Sequence, residues 1–167
     1  ATFVPCDTGA GAIEAIRGLD ICACNQLLDA VAREGLDAPF DRDGAAAASG
    51  TPNADDVRTL ESMLTEQRRA GGSLGTGDEA RAWIGQASER LEPPDLAASA
   101  VAAVASCIAD AANELAGDEV IVAGGGVANR ALMNALAQGC AAPVVTSDEL
   151  GVPACAREAM AFAVLWC

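Results

Sequence analysis

Three groups of residues in this chain have the types and spacing for chemistry. The first is Asp7-Thr8-Gly9-Ala10-Gly11, which follows the short apolar run Thr2-Phe-Val-Pro-Cys6. An aspartate at the end of a strand, followed by Thr and two glycines, can hold a carboxylate against a phosphate or a sugar, and the glycines leave the space beside it open. The same residues could also cap a helix. The second group is Gly124-Gly125-Gly126-Val-Ala-Asn129, reached through Val120-Ile-Val-Ala123. Glycine tolerates positive φ and lets a ligand approach the backbone without meeting a Cβ. A helical pattern with Val127, Leu132, Met133 and Leu136 on one face follows, so a helix start with free N–H groups is expected beside the glycines. A tight turn inside any α/β fold is the plainer reading. The third group is Asn25 and Asp29, four apart and therefore on one helix face.

Elements must position these groups. The spacing predicts a helix within 20–34 with Leu27, Leu28 and Val31 inward and Gly35 as its stop. Phe40-Asp41-Arg42-Asp43-Gly44 reads as an acidic turn; its two carboxylates at i and i+2 could otherwise hold a hydrated cation. A helix over 54–70 turns Val57, Leu60, Met63 and Leu64 inward, with Asp55 and Asp56 in its first turn and Arg68 and Arg69 in its last, suiting the macrodipole. Gly71 to Gly77 is a glycine-dense loop without the Lys-Ser/Thr ending of a phosphate loop. Helices follow over 78–91, anchored by Trp83 and Ile84, and over 95–116, introduced by Pro93-Pro94. Residues 143–146 read as a strand ending at Ser147-Asp148, Gly151-Val-Pro153 as a turn, and 154–166 as an apolar terminal helix.

Strands alternating with helices predict a helix-rich α/β fold with a small, mainly parallel sheet, in which the two C-terminal strands lie side by side. Ligands bind beyond the carboxyl ends of such strands. That rule places Asp7, Gly124–Gly126 and Asp148 on one edge.

Composition narrows the function. The 167 residues are 51% hydrophobic and only 3% aromatic, so alanine dominates a closely packed core, and the length suits a single domain over 1–167. The net charge is −14, and all ten basic residues are Arg; such a surface repels phosphate backbones and argues against nucleic acid as a partner. Seven cysteines fit neither a disulfide framework nor a zinc motif, and there is no His. A reduced, cytoplasmic protein without a metal site is expected. No run approaches the ~20 apolar residues of a membrane span, and no signal peptide is recognisable, so no membrane partner is expected. The chain opens at Ala1 rather than Met, which fits a fragment or a processed chain.

Taken together, Asp7-Thr8-Gly9, Asn25-Gln-Leu-Leu-Asp29-Ala30, Phe40-Asp-Arg-Asp-Gly44 with Ser49-Gly50, Gly124-Gly-Gly-Val-Ala-Asn129-Arg-Ala-Leu-Met133 and Glu158-Ala-Met-Ala-Phe-Ala-Val-Leu resemble the C-terminal half of the anhydro-N-acetylmuramic acid kinases. That family belongs to the sugar kinase, Hsc70 and actin superfamily. The resemblance implies a ribonuclease H-like (actin-like ATPase) fold and the C-terminal lobe of a two-lobed kinase, with the N-terminal lobe elsewhere. It implies ATP and Mg²⁺ as cofactors and an amino sugar substrate, 1,6-anhydro-N-acetylmuramic acid, opened by water and phosphorylated on O6 in cell-wall recycling. By the same resemblance Asp7 matches the catalytic base. Thr8, Gly9, Asn25 and Asp29 match the sugar side, and Gly124, Gly125, Gly126 and Asn129 match the nucleotide side. Ala10 stands where the family has Pro, an extra stretch separates Gly11 from Asn25, and the loop at Gly71–Gly75 lacks the family's Lys. An N-terminal lobe, a partner subunit or a second copy is the expected partner. A different sugar kinase of the superfamily and a non-catalytic, partner-binding module are the alternatives.

Overall fold

The computed structural model describes residues 20–70 and 80–156. The expected strand at 2–6, the Asp7-Thr8-Gly9 group, the helical stretch at 12–19, the loop at 71–77 and all but the start of the terminal helix lie outside the described residues.

Helix α5 (Pro93–Leu115) is the centre of the fold. The two prolines occupy its first positions, where a missing N–H costs nothing and φ is already helical. Alanines supply much of its buried surface, including Ala97, Ala100, Ala103 and Ala111. Small side chains let neighbours close in on several sides at once: α1 (Cys24–Gly35), α2 (Ala45–Ser49), α3 (Ala54–Ala70), α4 (Arg81–Ser88) and α6 (Arg130–Gly139) all pack on it. Leu27 and Val31 from α1, Leu60 and Leu64 from α3, Trp83 and Ile84 from α4 and Leu132 and Leu136 from α6 complete the core. Each such side chain contributes roughly 1.5–3 kcal/mol on leaving water.

By length and composition α5 could cross a membrane, which corrects the expectation that no run reaches that length; 78% of its most apolar stretch is buried inside the fold, so here it is a core helix.

Helix α1 ends at Gly35, as expected; a Cβ there would come 3.1 Å from Leu96 Cδ2, so this glycine also serves the approach of α1 to α5. The left-handed residue after the helix is Asp37, with φ 50°. Of the 78–91 helix the described part is regular over Arg81–Ser88 and ends before the expected Leu91.

Strands β1 (Val120–Val122) and β2 (Val144–Thr146) pair in parallel with Val120 opposite Val144 and Val122 opposite Thr146, and α6 is the crossover between them. Val120 is buried and Ile121 is exposed, so β1 is covered on one face rather than buried throughout. Asn113 ties the end of α5 to the segment entering β2: its Nδ2 donates to Gly139 O at 3.1 Å and its Oδ1 accepts from Ala141 N–H at 2.8 Å.

Candidate functional site at the carboxyl edge of the sheet

At the end of β1 the chain leaves through Gly124, whose φ of 93° and ψ of −176° only glycine adopts without strain. No atom lies within 4 Å of where its Cβ would be, so backbone conformation alone selects this glycine. The helix expected to begin at once begins later. Gly125–Ala128 forms a 3-10 turn, and α6 starts only after Asn129. Val127 therefore belongs to the turn and not to the face of α6. The cause is local: Asn129 has extended backbone and its Oδ1 accepts the Leu132 N–H at 3.0 Å, which is the geometry of a helix N-cap.

The Asn129 carboxamide is also held from outside. A Cβ on Gly44 would fall 2.2 Å from Asn129 Oδ1 and 3.0 Å from the Ala131 nitrogen, and Gly44 has φ 68°. The acidic turn at 41–44 thus closes on the start of α6. Its first carboxylate is not available to a cation in this arrangement: Asp41 Oδ1 accepts from Ala46 N–H and Oδ2 from Ala47 N–H, both at 2.9 Å, so Asp41 holds the start of α2.

Helix α1 delivers the third group. Asn25, in its first turn, lies against the glycine turn: a Cβ on Gly126 would be 3.2 Å from Asn25 Oδ1, and one on Gly125 would be 3.8 Å from Asn25 Nδ2. Asp29 sits one helical turn further along. Partial burial raises its carboxyl above the ordinary value, and Arg33 opposes that shift.

At the end of β2, Thr146 and Glu149 form a capping box around the short turn Ser147–Leu150. Asp148 Oδ1 accepts the Ala154 N–H at 3.2 Å, and Ala154 O accepts the Gly124 N–H at 2.9 Å. The two parallel strand ends therefore share one edge, as the topology rule requires. Ser147 Oγ is buried at that edge without a hydrogen-bond partner among the described residues. An apolar cavity of about 130 Å³ lies elsewhere, between α1 and α3; Leu27, Leu60, Met63 and Leu64 line it with Gln67 as its polar side chain, and none of the described candidate residues lines it.

Of the candidate residues, then, Gly124, Gly125, Gly126, Asn129 and Asn25 are brought together, Asp29 is adjacent along α1, and Asp7, Thr8 and Gly9 lie outside the described residues. Sequence reasoning missed Gly44 and the bridging Ala154. For Gly44 the signal was an Asp-Gly pair, which favours positive φ; for Ala154 there was none.

A profile of the family described as "Anhydro-N-acetylmuramic acid kinase" matches residues 12–167. The chain belongs to the anhydro-N-acetylmuramic acid kinase family. Among curated members, the anhydro-N-acetylmuramic acid kinase of Rhodococcus erythropolis is 38% identical over 152 residues, covering 87% of this chain and 38% of that protein. The Salinibacter ruber member is 35% identical over 161 residues, covering 90% of this chain and 41% of its own length. The Shewanella frigidimarina member is 35% identical over 169 residues, covering 98% and 44%. The chain thus spans about two fifths of the length of these anhydro-N-acetylmuramic acid kinases. The family match includes the α1 pair, the acidic turn and the glycine turn, the same segments that the fold assembles at one sheet edge.

Proposed function

We propose that this chain is the C-terminal lobe of an ATP-dependent sugar kinase that opens the 1,6-anhydro bond of anhydro-N-acetylmuramic acid and phosphorylates O6, a cytoplasmic step of cell-wall recycling. Residues 1–167 form one domain of the ribonuclease H-like, actin-like ATPase type, completed by an N-terminal lobe. The observation that carries this reading is the seating of Asn25 against Gly125 and Gly126. It joins the sugar-side helix to the nucleotide-side turn across most of the chain.

Gly124–Gly126 and Asn129 are the nucleotide side. The open space around Gly124 and the exposure of Gly125 suit a phosphate or a nucleoside approaching the backbone. ATP, when bound, supplies the phosphoryl group. Mg²⁺ commonly keeps several waters and binds through substrate phosphates with one or two carboxylates, so it needs no dedicated protein cage. Asp7 accepts the proton of the water that opens the anhydro bridge, which requires its carboxylate within hydrogen-bond reach of that water. Thr8, Gly9, Asn25 and Asp29 orient the sugar beside it. The remaining catalysis is positioning.

The test is ATP-dependent phosphorylation of 1,6-anhydro-N-acetylmuramic acid by this chain together with an N-terminal lobe of the family, with Asp7→Asn beside it. Turnover abolished by Asp7→Asn is the expected result. No turnover from a folded complex rejects the kinase reading in favour of a partner-binding module.

A further inference from the structure

We propose that Asp148 is a positioning residue for the glycine turn, acting through the two hydrogen bonds of Ala154 rather than on a ligand. The role rests on the reading of Gly124–Gly126 as the nucleotide side. The geometry is a relay between the two strand ends. Asp148 Oδ1 accepts the Ala154 N–H at 3.2 Å, and the carbonyl of the same residue accepts the Gly124 N–H at 2.9 Å. Ala154 is 2% exposed, so neither of its backbone groups has ready access to water as a substitute partner. Asp148 itself is exposed, so water and salt weaken its charge, and its effect on the turn travels through the bond.

The segment between them is built to bring Ala154 back. Gly151 turns with φ 80°, its N–H donates to Asp148 O at 3.0 Å, and Val152 N–H donates to Ser147 O at 2.9 Å. The chain thus reverses over Ser147–Pro153 and meets Gly124 at the point where β1 ends. Gly124 is where a hold is most needed, because glycine has the widest choice of backbone conformations and must be kept in one. A carboxylate that touched ligand directly would need its charge; a carboxylate that only accepts an amide proton would not.

Asp148→Asn keeps an oxygen acceptor and removes the charge, whereas Asp148→Ala removes both. The first readout is amide hydrogen exchange on the full chain, resolved by NMR. Asp148→Ala should speed exchange at Gly124 about tenfold while amides in α5 keep their protection, and Asp148→Asn should restore Gly124 to near the wild-type rate. The second readout is the affinity of a fluorescent ATP analogue for the chain paired with an N-terminal lobe, which should fall with Asp148→Ala and return with Asp148→Asn. Unchanged exchange at Gly124 in Asp148→Ala overturns the relay, as does an Asn variant as impaired as the Ala variant, or protection lost throughout the chain. If the wild-type pair binds no nucleotide, the reading of the turn fails, and exchange at Gly124 still decides whether Asp148 holds it.

Discussion

The carboxamide of Asn25 packs against Gly126, so that a Cβ on that glycine would lie 3.2 Å from Asn25 Oδ1. The contact joins α1 to the turn after β1, two elements far apart in the chain. A side chain end can yield by a few tenths of an ångström, so Gly126→Ala should cost less than ~1 kcal/mol. Gly124→Ala meets no atom but forces a side chain into a glycine conformation, and should cost roughly 1–3 kcal/mol. Urea midpoints of the two variants test the order; an equal or reversed cost would show that the turn is not held as described.

Gly44 and Asn129 are coupled more severely. Gly44→Ala should displace the Asn129 side chain, losing a helix cap worth about 1 kcal/mol, on top of a left-handed backbone cost of about 1–2 kcal/mol. In an Asn129→Ala background the same change should cost less, leaving the backbone part and the close approach to the Ala131 nitrogen. A double-mutant cycle measures the difference, and strict additivity would contradict the contact.

Asp56 is buried in the first turn of α3 and meets Arg90, whose Nη2 and Nη1 lie 2.7 and 3.3 Å from its two carboxylate oxygens. Arg90 is half-exposed, so water screens part of the pair. Arg90→Ala should still destabilise by about 1–3 kcal/mol, because the carboxylate is left buried without its donor. Asp56→Asn added to Arg90→Ala should recover part of that loss in thermal or urea unfolding. No recovery would mean the buried charge is not the cause.

Burial pushes the thiols of Cys22 and Cys107 up from 9.0 to about 12. A raised folded-state pKa means the fold holds the thiol proton more tightly than the unfolded chain does. Their stabilising contribution is complete below about pH 9 and is lost as the pH rises through the folded values. The urea midpoint of the wild type should fall more steeply above about pH 9 than that of Cys22→Ala. Among the described cysteines, the exposed Cys155 should be the first alkylated at neutral pH. Rapid labelling of Cys22 under native conditions would contradict its burial.

Periodicity made most of the helical framework legible. The bounds of α3 follow from Val57, Leu60, Met63 and Leu64, and the start of α5 from Pro93-Pro94, because one-sided burial and a fixed proline φ leave their mark at every turn. The pairing of β1 with β2 followed from one helix standing between two short apolar runs. Asp56 was legible in principle, since it shares a face with Leu60 four residues on, but its first-turn position suggested only a macrodipole charge.

What the order of residues determined by itself is therefore the local chemistry: which segments are helices, where glycine permits a turn, and which side chains could meet a sugar or a nucleotide. Tertiary structure decided which of these meet. Asn129 became a cap pressed by Gly44, Gly35 a contact surface for Leu96, and Asp148 an acceptor for Ala154. None of those pairings has a period or a spacing, because each depends on how closely the alanines of α5 let separate elements approach, and that distance is a property of the packed whole.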